Sequence, residues 1–121
     1  MPAAPVSTAN AEHYTWGDGC DGWFLMRTPG LHVIEERMPA GTAERAHHHA
    51  RARQFFYVLA GELTMAVDGH TRTLGAGEGL EIAPGEVHQA INRSGEPVRF
   101  VVTSCPPSHG DRIDASPEEL R

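Results

Sequence analysis

Apolar and polar residues in this chain fall into short runs with a two-residue period, the period of a strand and not of a helix. Gly22–Arg27 (GWFLMR) and Leu31–Met38 (LHVIEERM) read as strands parted by the turn Thr28-Pro29-Gly30. Phe55–Ala60 (FFYVLA) is aromatic and β-branched and stops at Gly61. Glu62–Val67 alternates, turns at Asp68-Gly69 and returns as His70–Leu74, the pattern of a hairpin whose turn tolerates left-handed backbone. After the break GAGEG (75–79), the runs Leu80–Ile82, Val87–Asn92 and Val98–Ser104 complete eight to ten short strands. No segment before Ser116 has a helical period; Pro117–Leu120 reads at most as one short helical turn. Short strands divided by 13 glycines and nine prolines predict an all-β barrel of antiparallel strands with little or no helix.

A length of 121 residues suits one hydrophobic core, and 40% hydrophobic against 21% charged residues suits a globular chain. Residues 1–12 are expected to be a disordered tail, 13–105 the barrel domain, and 106–121 a Pro-rich, charged arm that packs over the domain or over a partner subunit. The net charge is −6, and all ten basic residues are scattered arginines. That argues against a nucleic-acid footprint or a polybasic membrane anchor, and the apolar runs are too short for a membrane span. The first residues, MPAAPVSTANAE, lack the charged and apolar regions of a secretory signal, so a cytoplasmic address is expected. Cys20 and Cys105 are too few and too distant for a disulfide framework.

Eight histidines are out of proportion to the rest. His47 and His49 share one face of a strand while His48 points to the other. His88 follows about 40 residues later, behind the turn Ala83-Pro84-Gly85-Glu86. Three neutral imidazoles converging inside a barrel would hold one first-row divalent ion. His13, His32, His70 and His109 fit no spacing pattern and are expected at the surface. Gln54 has two roles open to it. Its amide oxygen can coordinate a cation directly, or it can bond a metal-bound water from one step behind. Phe56 shares a face with Gln54 and is expected to line the cavity; by the same parity Met38, Ile34 and Phe100 are candidate walls. For a general base the sequence offers Glu81, Glu36 and Tyr57, whose directions it leaves open.

Gly41-TAERA-His47-His48-His49-ARAR-Gln54-FFYVLA-Gly61 and Gly77-EGLEI-Ala83-Pro84-Gly85-EV-His88-QAI-Asn92 together resemble the two motifs of the cupin superfamily, in register throughout. The gap of 15 residues between them is that of a small single-domain cupin. Two positions depart from the family pattern: Gln54 stands where cupins have Glu, and Ala83 where they have Pro. The resemblance implies a β-barrel with one divalent transition metal (Fe, Mn, Ni, Cu or Zn) held by His47, His49, His88 and the residue at position 54. It does not by itself imply a reaction. A three-histidine site matches dioxygenases of the thiol and diketone type better than those with two histidines and a carboxylate. The expectation is therefore a metalloenzyme, dioxygenase-like or a related Lewis-acid isomerase or lyase, acting on a small and preferably anionic organic molecule. The competing readings are a non-catalytic binding or sensing module and, last, a metal-free acid–base cupin. Cupins often pair through edge strands, so a homodimer is expected with Tyr14, Trp16, Trp23 and Phe24 near its interface.

Overall fold

The computed structural model describes residues 2–108 and 110–116. Its eleven strands are β1 (Glu12–Trp16), β2 (Cys20–Arg27), β3 (His32–Met38), β4 (His47–His49), β5 (Arg53–Ala60), β6 (Glu62–Val67), β7 (His70–Gly75), β8 (Gly79–Ile82), β9 (His88–Ile91), β10 (Val98–Cys105) and β11 (Arg112–Asp114). They form two antiparallel sheets, ordered β1-β2-β3-β10-β5-β8 and β11-β4-β9-β6-β7. The described residues contain no helix, as the two-residue period requires, and so none long and apolar enough to cross a membrane. The single helical turn read at 117–120 lies outside the described residues, as does His109.

Alternation decides what each sheet buries. Along β10, Val98, Phe100, Val102 and Ser104 face inward, and along β5, Gln54, Phe56 and Val58 do the same. The opposite sheet contributes Leu63, Met65, Leu74 and Ala90 to one continuous core. Phe100, Leu63 and Met65 are fully buried, each stabilising the fold by roughly 1.5–3 kcal/mol relative to exposure. The β6–β7 hairpin turns at Asp68-Gly69, both at positive φ (45° and 82°). That is the two-residue turn whose twist matches the flanking strands.

Three strands extend beyond the apolar runs. β1 is half polar, and its pairing with β2, Tyr14 opposite Gly22, supplies the order that its composition lacks. β4 is three histidines long. β11 comes from the Pro-rich arm and lies against β4 of its own chain, Arg112 opposite His49 and Asp114 opposite His47. Asp111 pins this strap: its Oδ2 accepts hydrogen bonds from the backbone N–H of Arg51 (3.0 Å) and Ala52 (2.8 Å). Those two donors hold the Asp111 carboxyl below its ordinary range.

Candidate metal centre

The long gap in sequence between His47 and His88 closes through strand pairing. β4 and β9 are neighbours, and His47 sits directly opposite His88. His49, two residues on, projects from the same face of β4, while half-buried His48 lies on the other. The β8–β9 turn is tied to this strand by Gly85, whose N–H donates to the His49 carbonyl at 2.8 Å. Gly85 adopts a φ of 83°, which a side chain would oppose. The ligand atoms of His47, His49 and His88 all lie within 4.8 Å of one another. Their ring centroids are 4.4 Å apart for His47–His88, 4.9 Å for His47–His49 and 5.7 Å for His49–His88.

The backbone sets the tautomers. His47 Nδ1 donates to the Arg45 carbonyl at 2.7 Å and His88 Nδ1 to the Glu86 carbonyl at 2.9 Å. Each ring then keeps its lone pair on Nε2, the arrangement that orients a metal-binding imidazole. Burial, with the mutual repulsion of the imidazoles and the charge of Arg112, pushes His47 down to about 3 and His49 to about 4. His88 is lowered by the same burial. All three are neutral at pH 7, with lone pairs available.

Gln54 faces the cavity that His47 and His49 line. Its Nε2 donates to Ser104 Oγ at 2.9 Å, which leaves Oε1 buried and without a hydrogen-bond partner. His88 Nε2 and His49 Nδ1 are buried and unpartnered as well. Such orphans cost about 1–3 kcal/mol each when nothing satisfies them. Three imidazole nitrogens form a donor set that suits a borderline divalent ion. Three histidines are thus positioned to bind a metal ion, and the residues present fit one.

The cavity holds about 300 Å³. Ile34 and Phe56 line it, as parity suggests. Met38 and Phe100 face the same way but are sealed in the core, both at 0% exposure, because they lie further along their strands from the cavity. His32 corrects a surface expectation. It shares the inward face of β3 with Ile34 and Met38, is 6% exposed, and meets the Phe24 ring edge-on at 5.3 Å. The parity of β3 was the signal that could have found it. His13 and His70 are exposed, and His13 pairs with Asp21 at 2.8 Å.

Of the three candidate bases, Glu36 reaches the cavity. Glu81 is exposed and bonded to Arg53, and Tyr57 lies on the outer face at 42% exposure. Sequence reasoning missed Tyr14, Glu44 and Arg112, all cavity walls. Tyr14 and Trp16, expected at an interface, both face this cavity within their own chain. No pattern in the arm announces Arg112; β11 pairing alone brings it beside His49. Its Nε donates to Asp114 Oδ1 at 3.1 Å and its Nη2 to the Arg45 carbonyl at 3.2 Å.

Comparison with known proteins gives one consistent answer. A search of curated proteins finds no sequence match. Among solved structures, an RmlC-like cupin from Shewanella frigidimarina superposes with a TM-score of 0.79 at 23% identity, over 90% of this chain and 96% of that one. An uncharacterised double-stranded β-helix protein from Klebsiella pneumoniae gives 0.70 at 25% identity, over 78% and 82%. The polyketide cyclase RemF from Streptomyces resistomycificus gives 0.78 at 19% identity, over 98% and 91%. The family model described as cupin domain matches residues 34–104, more than half of the sequence and both histidine motifs, so the chain belongs to the cupin-domain family.

Proposed function

We propose that this cupin binds one divalent transition metal through His47, His49 and His88, with Gln54 Oε1 completing the donor set, and acts on a small anionic organic molecule. The observation that carries the reading is the convergence of three neutral imidazoles with an unpartnered amide oxygen lining the same cavity. A bound ion would supply Lewis-acid polarisation of a ligand oxygen and, if it were iron or copper, a place for O₂.

The chain's own residues do the rest. The carbonyls of Arg45 and Glu86 hold two imidazoles in the ligating tautomer. Ile34, Phe56 and Val102 keep part of the cavity wall apolar, which strengthens charge interactions inside it. Arg112 supplies a fixed positive charge at the cavity wall, and its guanidinium acts on the histidines and on the two cavity carboxylates alike. Since neither the imidazoles nor Gln54 brings negative charge, an anionic oxygen is the natural remaining ligand.

The test is elemental analysis and native mass spectrometry of untagged protein, followed by binding of small carboxylates to the loaded sample. One metal per chain and metal-dependent carboxylate binding are expected. Protein that takes up no divalent metal at neutral pH overturns the reading. Binding without turnover of any oxo or hydroxy acid favours the non-catalytic module.

A further inference from the structure

The wall formed by β1 and β3 carries a second chemical group that the metal centre does not use. Tyr14, Gly22 and Glu36 occupy one row across β1, β2 and β3, Tyr14 opposite Gly22 and Gly22 opposite Glu36. A Cβ on Gly22 would sit 2.2 Å from Tyr14 Cζ and 2.6 Å from its hydroxyl oxygen. The missing side chain therefore lets the phenol lie across β2, where its hydroxyl donates to Glu36 Oε2 at 3.3 Å. Glu44 lines the same cavity, with Oε1 held by the Ala90 N–H at 2.9 Å. Two inward carboxyls thus share a small cavity with apolar Ile34, Phe56 and Val102.

The groups acting on Glu36 are Tyr14 from β1, Glu44 from the segment before β4 and Arg112 from β11, while Glu36 itself raises the Cys20 thiol of β2. Phe100 and Val102 of β10 bring no charge. Burial, then repulsion by Glu44, raises the Glu36 carboxyl to about 8, with Tyr14 and Arg112 pulling the other way. Burial raises Glu44 to about 7. Gln54, 6% exposed and with its Oε1 unpartnered, lines this same cavity, so whatever satisfies that oxygen lies in the space that Glu36 also faces.

We infer that Glu36 is the proton-carrying residue of the cavity, accepting a proton from one atom of a small bound oxyanion and holding it beside the ligand until it is returned. The inference rests on the metal–anion reading above and narrows it to proton-transfer chemistry. In such a step the Glu36 carboxylate accepts a proton from a carbon next to a carbonyl. The electrons of that C–H bond pass into the new C=C bond, and the carbonyl oxygen becomes an enolate oxygen. The neutral acid then returns the proton at a second atom, so no oxidant or reductant is consumed. Once Glu36 has taken the proton, Glu44 helps hold it there, because two negative charges in one cavity repel.

The experiment uses the full chain loaded with Ni²⁺, and oxalate as the probe, a planar dianion in place of the enolate. Calorimetry in two buffers of different ionisation enthalpy counts the protons taken up per oxalate. Uptake should approach one proton above the Glu36 midpoint, so that Kd rises about tenfold per pH unit there. Glu36→Gln should keep its metal, bind oxalate and lose that pH dependence. Carboxyl-carbon NMR of the unmodified protein labelled at glutamate needs no variant, and should show Glu36 titrating near pH 8. Oxalate binding with no proton uptake, undiminished uptake in Glu36→Gln, or a Glu36 midpoint near the ordinary carboxylate value of 4.5 overturns the inference and leaves the metal centre standing. Failure to retain metal, or to bind oxalate when loaded, overturns the metal–anion reading and this inference with it; metal analysis of the same sample says which was lost.

Discussion

Replacing Gln54 by Glu tests the electrostatics of the metal centre most directly. The change is nearly isosteric, and Ser104 Oγ, now an acceptor from Gln54 Nε2 at 2.9 Å, can turn its hydroxyl proton toward a carboxylate instead. The unpartnered Oε1 becomes part of a full negative charge. Against a divalent ion, each unit of ion charge at about 4 Å and an effective dielectric of about 20 contributes about 4 kcal/mol. Desolvating a carboxylate in a pocket where position 54 is 6% exposed costs several kcal/mol in return. The balance is a gain of about 1–3 kcal/mol, or roughly 5- to 150-fold in metal affinity. Competition against a chelator of known affinity measures it. The same charge should lower the reduction potential of an iron- or copper-loaded sample, because the more positive state gains more. Without metal the buried charge loses its counter-ion, so the metal-free variant should melt below the parent. If affinity does not rise and the potential does not fall, Gln54 lies outside the field of the ion and the preference for an anionic ligand loses its basis.

Four further outcomes are expected. His88→Ala should cut metal occupancy far more than His48→Ala, since His48 points away from the cluster; equal losses by elemental analysis would contradict the assignment. Stability of the metal-free protein should peak near pH 6–6.5. The buried histidines, depressed to about 3 and 4 for His47 and His49, stabilise above pH 6.5 and lose that contribution as acid protonates the unfolded chain first. Glu36 and Glu44, raised to about 8 and 7, contribute fully below about pH 4.5 and lose it as the pH climbs through their folded values, so Glu36→Gln should flatten the alkaline side of the denaturation profile. Asp111→Ala strips two backbone N–H groups of their acceptor and should loosen β11, read as faster proteolysis after Cys105 and weaker metal retention, with Asp111→Asn restoring part of both. The edge strand β1 leaves backbone groups to cover, so light scattering should show a homodimer; a monomer at micromolar concentration refutes pairing through this edge.

What the sequence by itself determined is everything that depends on neighbours a few residues apart. Strand period, the Asp68-Gly69 hairpin and the common face of His47 and His49 all follow from backbone geometry with a fixed repeat, and the structure has each of them. The link from His47 and His49 to His88 came from the motif resemblance, since no local rule spans that distance. The tertiary structure decided what depends on strands that meet only after folding. It placed Arg112 beside His49 through a strap whose proline and charge conceal a strand. It brought Tyr14 and Glu44 to the cavity that Glu36 lines, and chose Glu36 over Glu81 and Tyr57, because the side of the sheet that becomes interior is settled by pairing across the barrel. It also sent His32 inward and sealed Met38 and Phe100 below the cavity. Parity assigns a residue to a face, but depth along that face is set by where the opposing sheet closes, and that closure is a property of contacts distant in sequence.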